Sequence, residues 1–517
     1  MLKSVLLAAL MLAGAPAAAA PNPPPGDRSA AGDEALRTAA EAIDALDIGK
    51  LYDDKTYAAA ILGHAERIAA AGKDDPDVRM GMGNVRMLAL TALERVPEAL
   101  ALGQALIAAG ETNPFTFGIA ASAAGAAGDR AAALAALEAG ARAMQPDEGE
   151  PMRAFINEDL VQWMFGSFYE AKDKASQRRL SEALLTIGWP DPDDIDRRDW
   201  YRLDAIDRRL ESGDIAGARA LALEVKGAAP TVRLATARRY YDLFEAGEDP
   251  VALVESALAR GNRHSRERLE AEPDNLKRLL TRAQTLREMG KEEQALALLL
   301  PATADLAAVE TGGEDAFWIV NEAAYSLQAL GRSAEAVALM EKLLTLDMKK
   351  HGSLVNMAIN HGAVLIGAGR YEEAARYSEA LEARVEGLAS PFGKMWIWSS
   401  AACGHALGGD MAAAAPALAR LKEGSETNEA AHMRALLCAD DMDAAETLLI
   451  RRLRGDDPHE VLAALQDYTV GEHRTEAGRL IAGRLQALRA RPAVAAEIAK
   501  VGRILPLPLS KIYWGDF

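Results

Sequence analysis

The hydrophobic and polar positions of this chain repeat with a helical period, and a turn interrupts the repeat at regular intervals. In GRYEEAARYSEALE, residues 369–382, a glycine precedes an aromatic residue, two glutamates, an alanine pair and a helical run. Gly369 can adopt the left-handed backbone that ends a helix, and the glutamates suit the first turn of the next helix. Ala374 and Leu381 share one face of that helix, and the small alanine lets a second helix approach closely.

The same layout, a turn residue followed five positions later by an alanine, recurs along most of the chain. With glycine at the turn, the copies are Gly128 with Ala133, Gly213 with Ala218, Gly247 with Ala252, Gly290 with Ala295, Gly331 with Ala336, Gly369 with Ala374 and Gly409 with Ala414. Three further copies are Glu94 with Ala99, Asp440 with Ala445 and Glu472 with Ala477. The gap of 85 residues between Gly128 and Gly213 is wide enough for two units. We predict an atypical turn in this gap, around AKDKAS at 171–176.

A period of this length, with a helix on each side of a turn, is typical of helical solenoids. A large residue also follows several of the alanines by four positions, as Met340 follows Ala336. On these motifs, residues 80–490 resemble the tetratricopeptide repeat (TPR) family, although that family's first-helix tryptophan is matched only at Trp398. The resemblance implies antiparallel helix pairs that stack into a right-handed superhelix, usually a scaffold for peptides or proteins. We therefore predict an all-α fold, a right-handed α-solenoid of about ten or eleven TPR-like helix-turn-helix units. An irregular helical bundle with coincidental Gly/Ala pairs is the alternative.

The ends of the chain and one internal segment break the pattern. Residues 1–19 read as a secretory signal peptide, with Lys3, a short apolar run and small residues before the expected cleavage site. The Pro/Gly-rich residues 20–33 read as a leader, and no stable membrane span is expected after cleavage. We predict N-terminal helical repeats over 34–188, a possible hinge over the acidic, proline-broken 189–199, TPR-like repeats over 200–503 and an extended tail over 504–517. The tail covers the apolar end of the final unit or binds a partner.

Composition and charge argue against one class of partner, and the signal segment predicts a location. Lys and Arg number 58 against 76 Asp and Glu, which gives a net charge of −18. Nonspecific nucleic-acid binding needs basic surface, so no nucleic-acid partner is expected. The signal segment predicts a periplasmic or secreted bacterial protein.

No motif with catalytic spacing is present, and neither a metal site nor a cofactor is expected. The chain has two cysteines, Cys403 and Cys438. Export permits a disulfide, but the two residues differ by four positions in their register to the nearest turn. That offset is about 6 Å along a helix, which favours two buried free thiols over a disulfide. Cys403 and His405 lie on different faces of one helix, which argues against a shared metal.

Tryptophans suggest where a ligand binds. Trp200, Trp318 and Trp396 each stand thirteen residues before a turn glycine, two positions before the place of Trp398 in its unit. A step of two residues along a helix changes the side-chain direction by about 200°. These three tryptophans are therefore expected to point away from the packing face, towards an inner groove. Residues that share the face across three units give the predicted partner-binding groove: Trp318, Asn321, Tyr325, Asn356, Asn360 and Trp396. Aromatic and amide side chains suit a protein-binding surface. A tryptophan that merely packs on the preceding loop is the plain alternative.

Two functions fit the sequence. The first is a noncatalytic periplasmic scaffold that binds a peptide or partner protein in the concave groove. The alternative is a cell-envelope enzyme or accessory subunit that acts on a glycan or peptide held in the solenoid cleft. A co-purified partner favours the first function, and turnover abolished by one carboxylate substitution favours the second.

Overall fold

A computed structural model describes residues 30–73, 75–110, 113–143, 150–153, 155–189, 195–245, 247–455, 457–470 and 475–510. The described residues form two compact units, unit 1 before and unit 2 after the division between residues 218 and 219. The predicted signal peptide, most of the leader and the last seven residues of the tail lie outside the described residues. Among the described residues, no helix is long and apolar enough to cross a membrane.

Unit 1 is helical throughout its described part. Two apolar clusters form its core; the first involves Ile61, Met87 and Leu106, and the second involves Phe117, Leu137 and Met164. Its helices are α1 (Ala30–Asp44), α2 (Ile48–Asp53), α3 (Lys55–Ala71), α4 (Pro76–Ala92), α5 (Val96–Ala108), α6 (Pro114–Ala126), α7 (Arg130–Ala143), α8 (Glu150–Arg153), α9 (Glu158–Glu170), α10 (Lys174–Thr186) and α11 (Ile195–Glu211), and the division between the units falls within α12 (Ile215–Ala222).

Unit 2 contains the predicted groove. Its elements are α13 (Ala228–Thr236), the 3₁₀ helix η1 (Arg238–Leu243), α14 (Pro250–Ala271), α15 (Leu276–Glu288), α16 (Glu292–Thr303), α17 (Leu306–Ala329), α18 (Ser333–Leu343), α19 (Leu354–Gly367), α20 (Tyr371–Arg384), α21 (Pro391–Leu407), α22 (Met411–Glu423), α23 (Glu429–Cys438), α24 (Met442–Leu453), α25 (His459–Ala464), β1 (Asp467–Tyr468), α26 (Glu476–Arg489), α27 (Pro492–Val501) and β2 (Pro506–Leu507). A non-helical residue, Gly313, breaks α17 near its start.

The helix-turn-helix repeat follows a left-handed residue at nine places among the described residues. Eight of these residues are turns that the sequence pattern predicts, and the ninth is Lys172, within the AKDKAS segment of the long gap. Their φ angles lie between 55° and 86°: Glu94, Gly128, Lys172, Gly213, Gly290, Gly331, Gly369, Gly409 and Asp440. At each turn the next amide donates to the carbonyl five residues earlier, as Arg370 N does to Leu365 O at 2.9 Å. This bond defines the Schellman ending of a helix.

Two kinds of residue follow eight of these nine turns and begin the second helix, and Lys291 follows the ninth without a side-chain cap. In five turns an aspartate accepts a hydrogen bond from the amide three residues later, as Asp410 does from Ala413 at 2.9 Å. In three turns an arginine instead pairs with a glutamate three residues later, as Arg370 does with Glu373. The aspartate caps the new helix directly, whereas the arginine holds a carboxylate over its first turn.

The alanine after each turn is buried in almost every copy. Ala99, Ala133, Ala218, Ala295, Ala336, Ala374, Ala414 and Ala445 are 0% exposed, and Ala477 is 1% exposed. The repeat predicted at Gly247 is wrong. A 3₁₀ helix precedes this glycine in place of the expected first helix. Ala252 is exposed, and Val254 and Ala257 are buried instead. Glu472 lies outside the described residues, and a two-residue strand precedes it.

Helices in unit 2 pack in sequence as antiparallel pairs. The first helices of consecutive pairs also contact one another, from α15 to α17, α19, α21 and α23. Among the described residues, the second helices do not pack on one another to a similar extent. The pairs are therefore closest on the side of the first helices, which form the inner face of unit 2. The prediction of an all-α solenoid of helix-turn-helix units is confirmed.

Two features of unit 2 depart from a simple row of pairs. Helix α26 contacts α19 as well as α23 and α24, so part of the inner face is covered. The described part of the tail pairs with β1 and packs on α13, α14 and α25, so it joins the start of unit 2 to its last elements. Its role as a cap of the final unit stays a prediction.

The predicted hinge over 189–199 stays a prediction. Residues 190–194 lie outside the described residues, Trp189 is buried in the second core cluster of unit 1, and α11 begins at Ile195.

Candidate partner-binding surface

The predicted groove residues lie on first helices α17, α19 and α21 of unit 2. Asn321 is 0% exposed, and its Oδ1 accepts a hydrogen bond of 3.1 Å from Nδ2 of Asn360 in α19. This bond joins two of the six residues across neighbouring pairs. The Nδ2 atom of Asn321 has no partner with ordinary hydrogen-bond geometry among the described residues, and the nearby Tyr325 phenol is its weak partner. Asn356, one turn before Asn360, is exposed.

Tyr325 lies one turn beyond Asn321, against a partly buried ion-pair network. The guanidinium of Arg287 in α15 stands 5.5 Å from the centre of the Tyr325 ring. Arg287 pairs with Glu322 and, at 3.2 Å, with Glu292. Burial alone would lower the pKa of Arg287, but the two carboxylates outweigh it and raise that pKa. Arg287 therefore stays charged.

Burial also changes the acidity of Tyr325 itself. It raises the pKa of the Tyr325 phenol to about 12, and the Glu322 carboxylate acts in the same direction. The phenol consequently stays neutral at physiological pH and can both donate and accept a hydrogen bond.

Trp396 forms the other side of the surface with Arg434 of α23. The Arg434 guanidinium lies 5.0 Å from the centre of the Trp396 ring and donates a hydrogen bond of 2.9 Å to Ser400 Oγ. Burial lowers the pKa of Arg434 to about 9. The arginine is still mostly charged at neutral pH, and its stacking on tryptophan is a favourable cation–π geometry.

The two tryptophans of α21 point to different neighbours. Trp396 contacts α23, whereas Trp398 donates from Nε1 to Glu382 of α20 at 3.0 Å and lies under Arg420 of α22. This is the separation expected for residues two positions apart on a helix. Trp318 is half-buried, with its Nε1 3.4 Å from Glu314.

Sequence reasoning missed Arg287 and Arg434, the two cations of this surface. Neither belongs to the displaced-tryptophan pattern. The signal that could have found Arg434 is its place one turn before Cys438 on the next first helix. We call the set Arg287, Asn321, Tyr325, Asn360, Trp396 and Arg434 the inner-face cluster. Trp318 and Asn356 lie on the same helices, α17 and α19, outside this set. Trp200, the third displaced tryptophan, belongs to unit 1 and is 44% exposed.

The expectation of two free thiols is wrong. Cys403 of α21 and Cys438 of α23 form a disulfide, with Cα atoms 5.0 Å apart. Register relative to the turns misled the sequence argument, because Cys438 is the last residue of its helix while Cys403 lies well inside α21. The helices are shifted along each other, and this shift brings the cysteines together.

The inner-face cluster combines several kinds of contact group. It offers two aromatic faces, two guanidinium groups, a neutral phenol and an amide pair. No group of three or more His, Cys, Asp or Glu side chains suited to a metal ion occurs among the described residues.

Comparisons with known proteins add little. No family model matches the chain, and no curated protein matches it. Among solved structures, the chain is similar to one described as the structure of Naa15/Naa10 bound to HypK-THB, with 14% sequence identity, 91% of this chain and 80% of that chain covered, and a TM-score of 0.18.

Proposed function

We propose that this chain is a noncatalytic scaffold, periplasmic or secreted, that binds an extended peptide or a segment of a partner protein on the inner face of unit 2. The observation that carries the proposal is the inner-face cluster, in which consecutive first helices bring Tyr325, Trp396 and two arginines to one side. Tyr, Trp and Arg are the residues enriched where binding energy concentrates at interfaces.

An exposed amide favours a peptide as the ligand. Asn356 lies one turn before Asn360 on α19 and is exposed, so its side chain can both donate to and accept from the backbone of an extended peptide. The half-buried rings of Trp318 and Trp396 would contact the side chains of such a peptide.

The disulfide supports the proposed location. Structural disulfides persist in oxidising compartments such as the periplasm and the extracellular space. The Cys403–Cys438 bond and the signal-like residues 1–19 point to the same compartments.

Site-specific photocrosslinking tests the proposed function. A photoreactive amino acid replaces Asn356, which is exposed on the inner side, in protein expressed in the source organism. The matched control places it at Glu372, whose side chain is 85% exposed on the second helix α20. We expect a defined protein adduct from position 356 that is absent from position 372. Equal adducts at both positions, or none at position 356, would contradict the proposal.

A further inference from the structure

Residues 502–510, here called the terminal strap, run as an extended chain between the two ends of unit 2. Gly502 forms an antiparallel bridge with Ala237, and Arg503 N donates to Thr236 O at 3.0 Å. Residues 506–507 then pair in parallel with β1. At its other end, Ser510 N donates to Glu288 O at 2.9 Å, at the end of α15. The strap thus binds elements more than 200 residues earlier in the chain.

Backbone hydrogen bonds hold the strap along one edge. The carbonyls of its three alternate leucines accept from the amides of β1 and the residues after it: Leu505 from Asp467 at 3.2 Å, Leu507 from Thr469 at 2.9 Å and Leu509 from Val470 at 3.2 Å. Gln466 adds a side-chain pair, since its Oε1 accepts from Leu505 N and its Nε2 donates to Arg503 O. The strap and β1 together make a two-stranded parallel sheet, and main-chain bonds of this kind also hold a peptide that binds as an added strand.

The sequence LPLPL suits a strand that has one partner. Successive residues of a strand face opposite ways, so Pro506 and Pro508 alternate with the leucines that pair with β1. Proline has no N–H to leave unpaired, and it is tolerated at sheet edges for that reason. Pro506 is exposed. The strap therefore presents no donors at these two positions that could recruit a further strand.

Side-chain burial gives the strap its specificity. Leu507 and Leu509 are both 0% exposed and enter an apolar cluster with Val232 of α13 and Leu258 of α14. Met289 and Leu505 pack against the same cluster. Beyond the leucines, Ser510 Oγ donates to Arg287 O at 2.6 Å. We call the surface under the strap, formed by α13, α14, the end of α15 and residues 466–470, the strap trough.

We propose that the terminal strap is a peptide ligand bound in cis, and that the strap trough binds an extended peptide of the same chemistry in trans once the strap is released. The trough selects an extended backbone, leucines at alternate positions and a hydroxyl residue next to the last leucine. A tethered ligand acts at an effective concentration in the millimolar range. The intact protein therefore excludes a competing peptide, and release of the strap uncovers the site.

Peptide binding to full-length protein tests this inference. The probe is a fluorescent peptide with the sequence of residues 502–510, GRILPLPLS, followed by anisotropy. Leu507→Asp with Leu509→Asp in the full chain releases the strap by charging two buried positions. We expect this variant to bind the peptide at least about 100-fold more tightly than the wild type. A peptide with aspartate at both leucine positions is the matched control, and it should not bind.

Two results would overturn the inference. One is a folded release variant, by circular dichroism, that does not bind the leucine peptide. The other is equal binding of the peptide by wild type and variant, which would place the peptide elsewhere.

A second experiment tests the inference if the release variant does not fold. A site-specific protease sequence inserted between Val501 and Gly502 allows the strap to be cut after folding. We expect the cut strap to remain bound through gel filtration and to exchange with the labelled peptide. A nicked protein that stays folded and takes up no labelled peptide would overturn the inference.

Discussion

Cys403 and Cys438 join α21 to α23 one helical turn from the contact between Arg434 and Ser400. Arg434 precedes Cys438 by four residues, and Ser400 precedes Cys403 by three. The Cys403 sulfur also lies 3.8 Å from the Arg434 carbonyl oxygen. The covalent bond and the inner-face cluster therefore share the same two helices, and the bond fixes their relative position.

Loss of this disulfide should destabilise unit 2. The bond spans 35 residues, and for a loop of this length the chain-entropy model gives about 4 kcal/mol. We expect the urea midpoint of the Cys403→Ala, Cys438→Ala double variant to fall, and the same fall in wild type unfolded under reducing conditions. The double variant itself should not respond to reductant. Equal midpoints for oxidised and reduced wild type would show that the bond does not form.

Overpacking one buried alanine should destabilise the array. Ala374 is 0% exposed at the contact between α20 and its neighbours, so Ala374→Phe should cost about 1–3 kcal/mol and lower the melting temperature. The matched control is Ala252→Phe, because Ala252 has the same offset from a glycine but is exposed. That variant should melt close to wild type. Similar melting of both variants would mean that the post-turn alanine is not a helix contact.

Truncating Trp318 and Trp396 should separate binding from folding. Trp318→Ala is expected to melt near wild type, since the ring is half-buried. Trp396→Ala loses the cation–π contact with Arg434. Its free energy of unfolding should therefore fall by about 0.5–2 kcal/mol, and its melting temperature should be lower. Both should reduce crosslinking from position 356, as truncation of an interface anchor often costs more than about 2 kcal/mol. Trp398→Ala, on the other side of α21, should leave crosslinking unchanged. A loss of crosslinking by Trp398→Ala alone would move the binding surface to the second helices.

Stability should depend on pH through a buried histidine. His361 in α19 is 3% exposed, and its ring meets Tyr377 edge-on at 4.8 Å. Burial lowers the pKa of His361 to about 4, with Arg370 acting in the same direction. The unfolded chain takes up this proton near pH 6.5, before the native state does. The free energy of unfolding should therefore decrease as the pH falls from about 6.5 to 4, by up to about 3 kcal/mol.

Urea titrations at several pH values measure that dependence. His361→Gln should show a shallower slope between pH 6.5 and 4 than wild type. His459, whose pKa burial also lowers to about 4, contributes in the same direction and keeps part of the slope in the variant. Identical slopes in wild type and His361→Gln would contradict the assignment.

The parts of the fold that depend on local backbone could be predicted, and those that depend on relative helix position could not. A left-handed turn and a small residue five positions later are encoded within one unit, so Gly369 and Ala374 were found from the sequence. The Cys403–Cys438 pair and the approach of Arg434 to Trp396 depend on how far one helix slides along the next. The shift of one helix along its neighbour is set by packing over their whole interface. It cannot be read from the hydrophobic periodicity of either helix. The copy at Gly247 failed for a related reason, because the expected first helix is replaced by a 3₁₀ turn.

The two ways of starting a second helix have an electrostatic consequence. An aspartate after the turn, as at Asp410, and an arginine–glutamate pair, as at Arg370 and Glu373, hold the same backbone but present different charge patterns to solvent. The surface potential at the turns can therefore differ from one helix pair to the next while each pair keeps its shape. The chain has a net charge of −18. Exchanging one kind of turn for the other would change the attraction between the turns and a charged neighbouring molecule. The helices behind the turns would not need to repack.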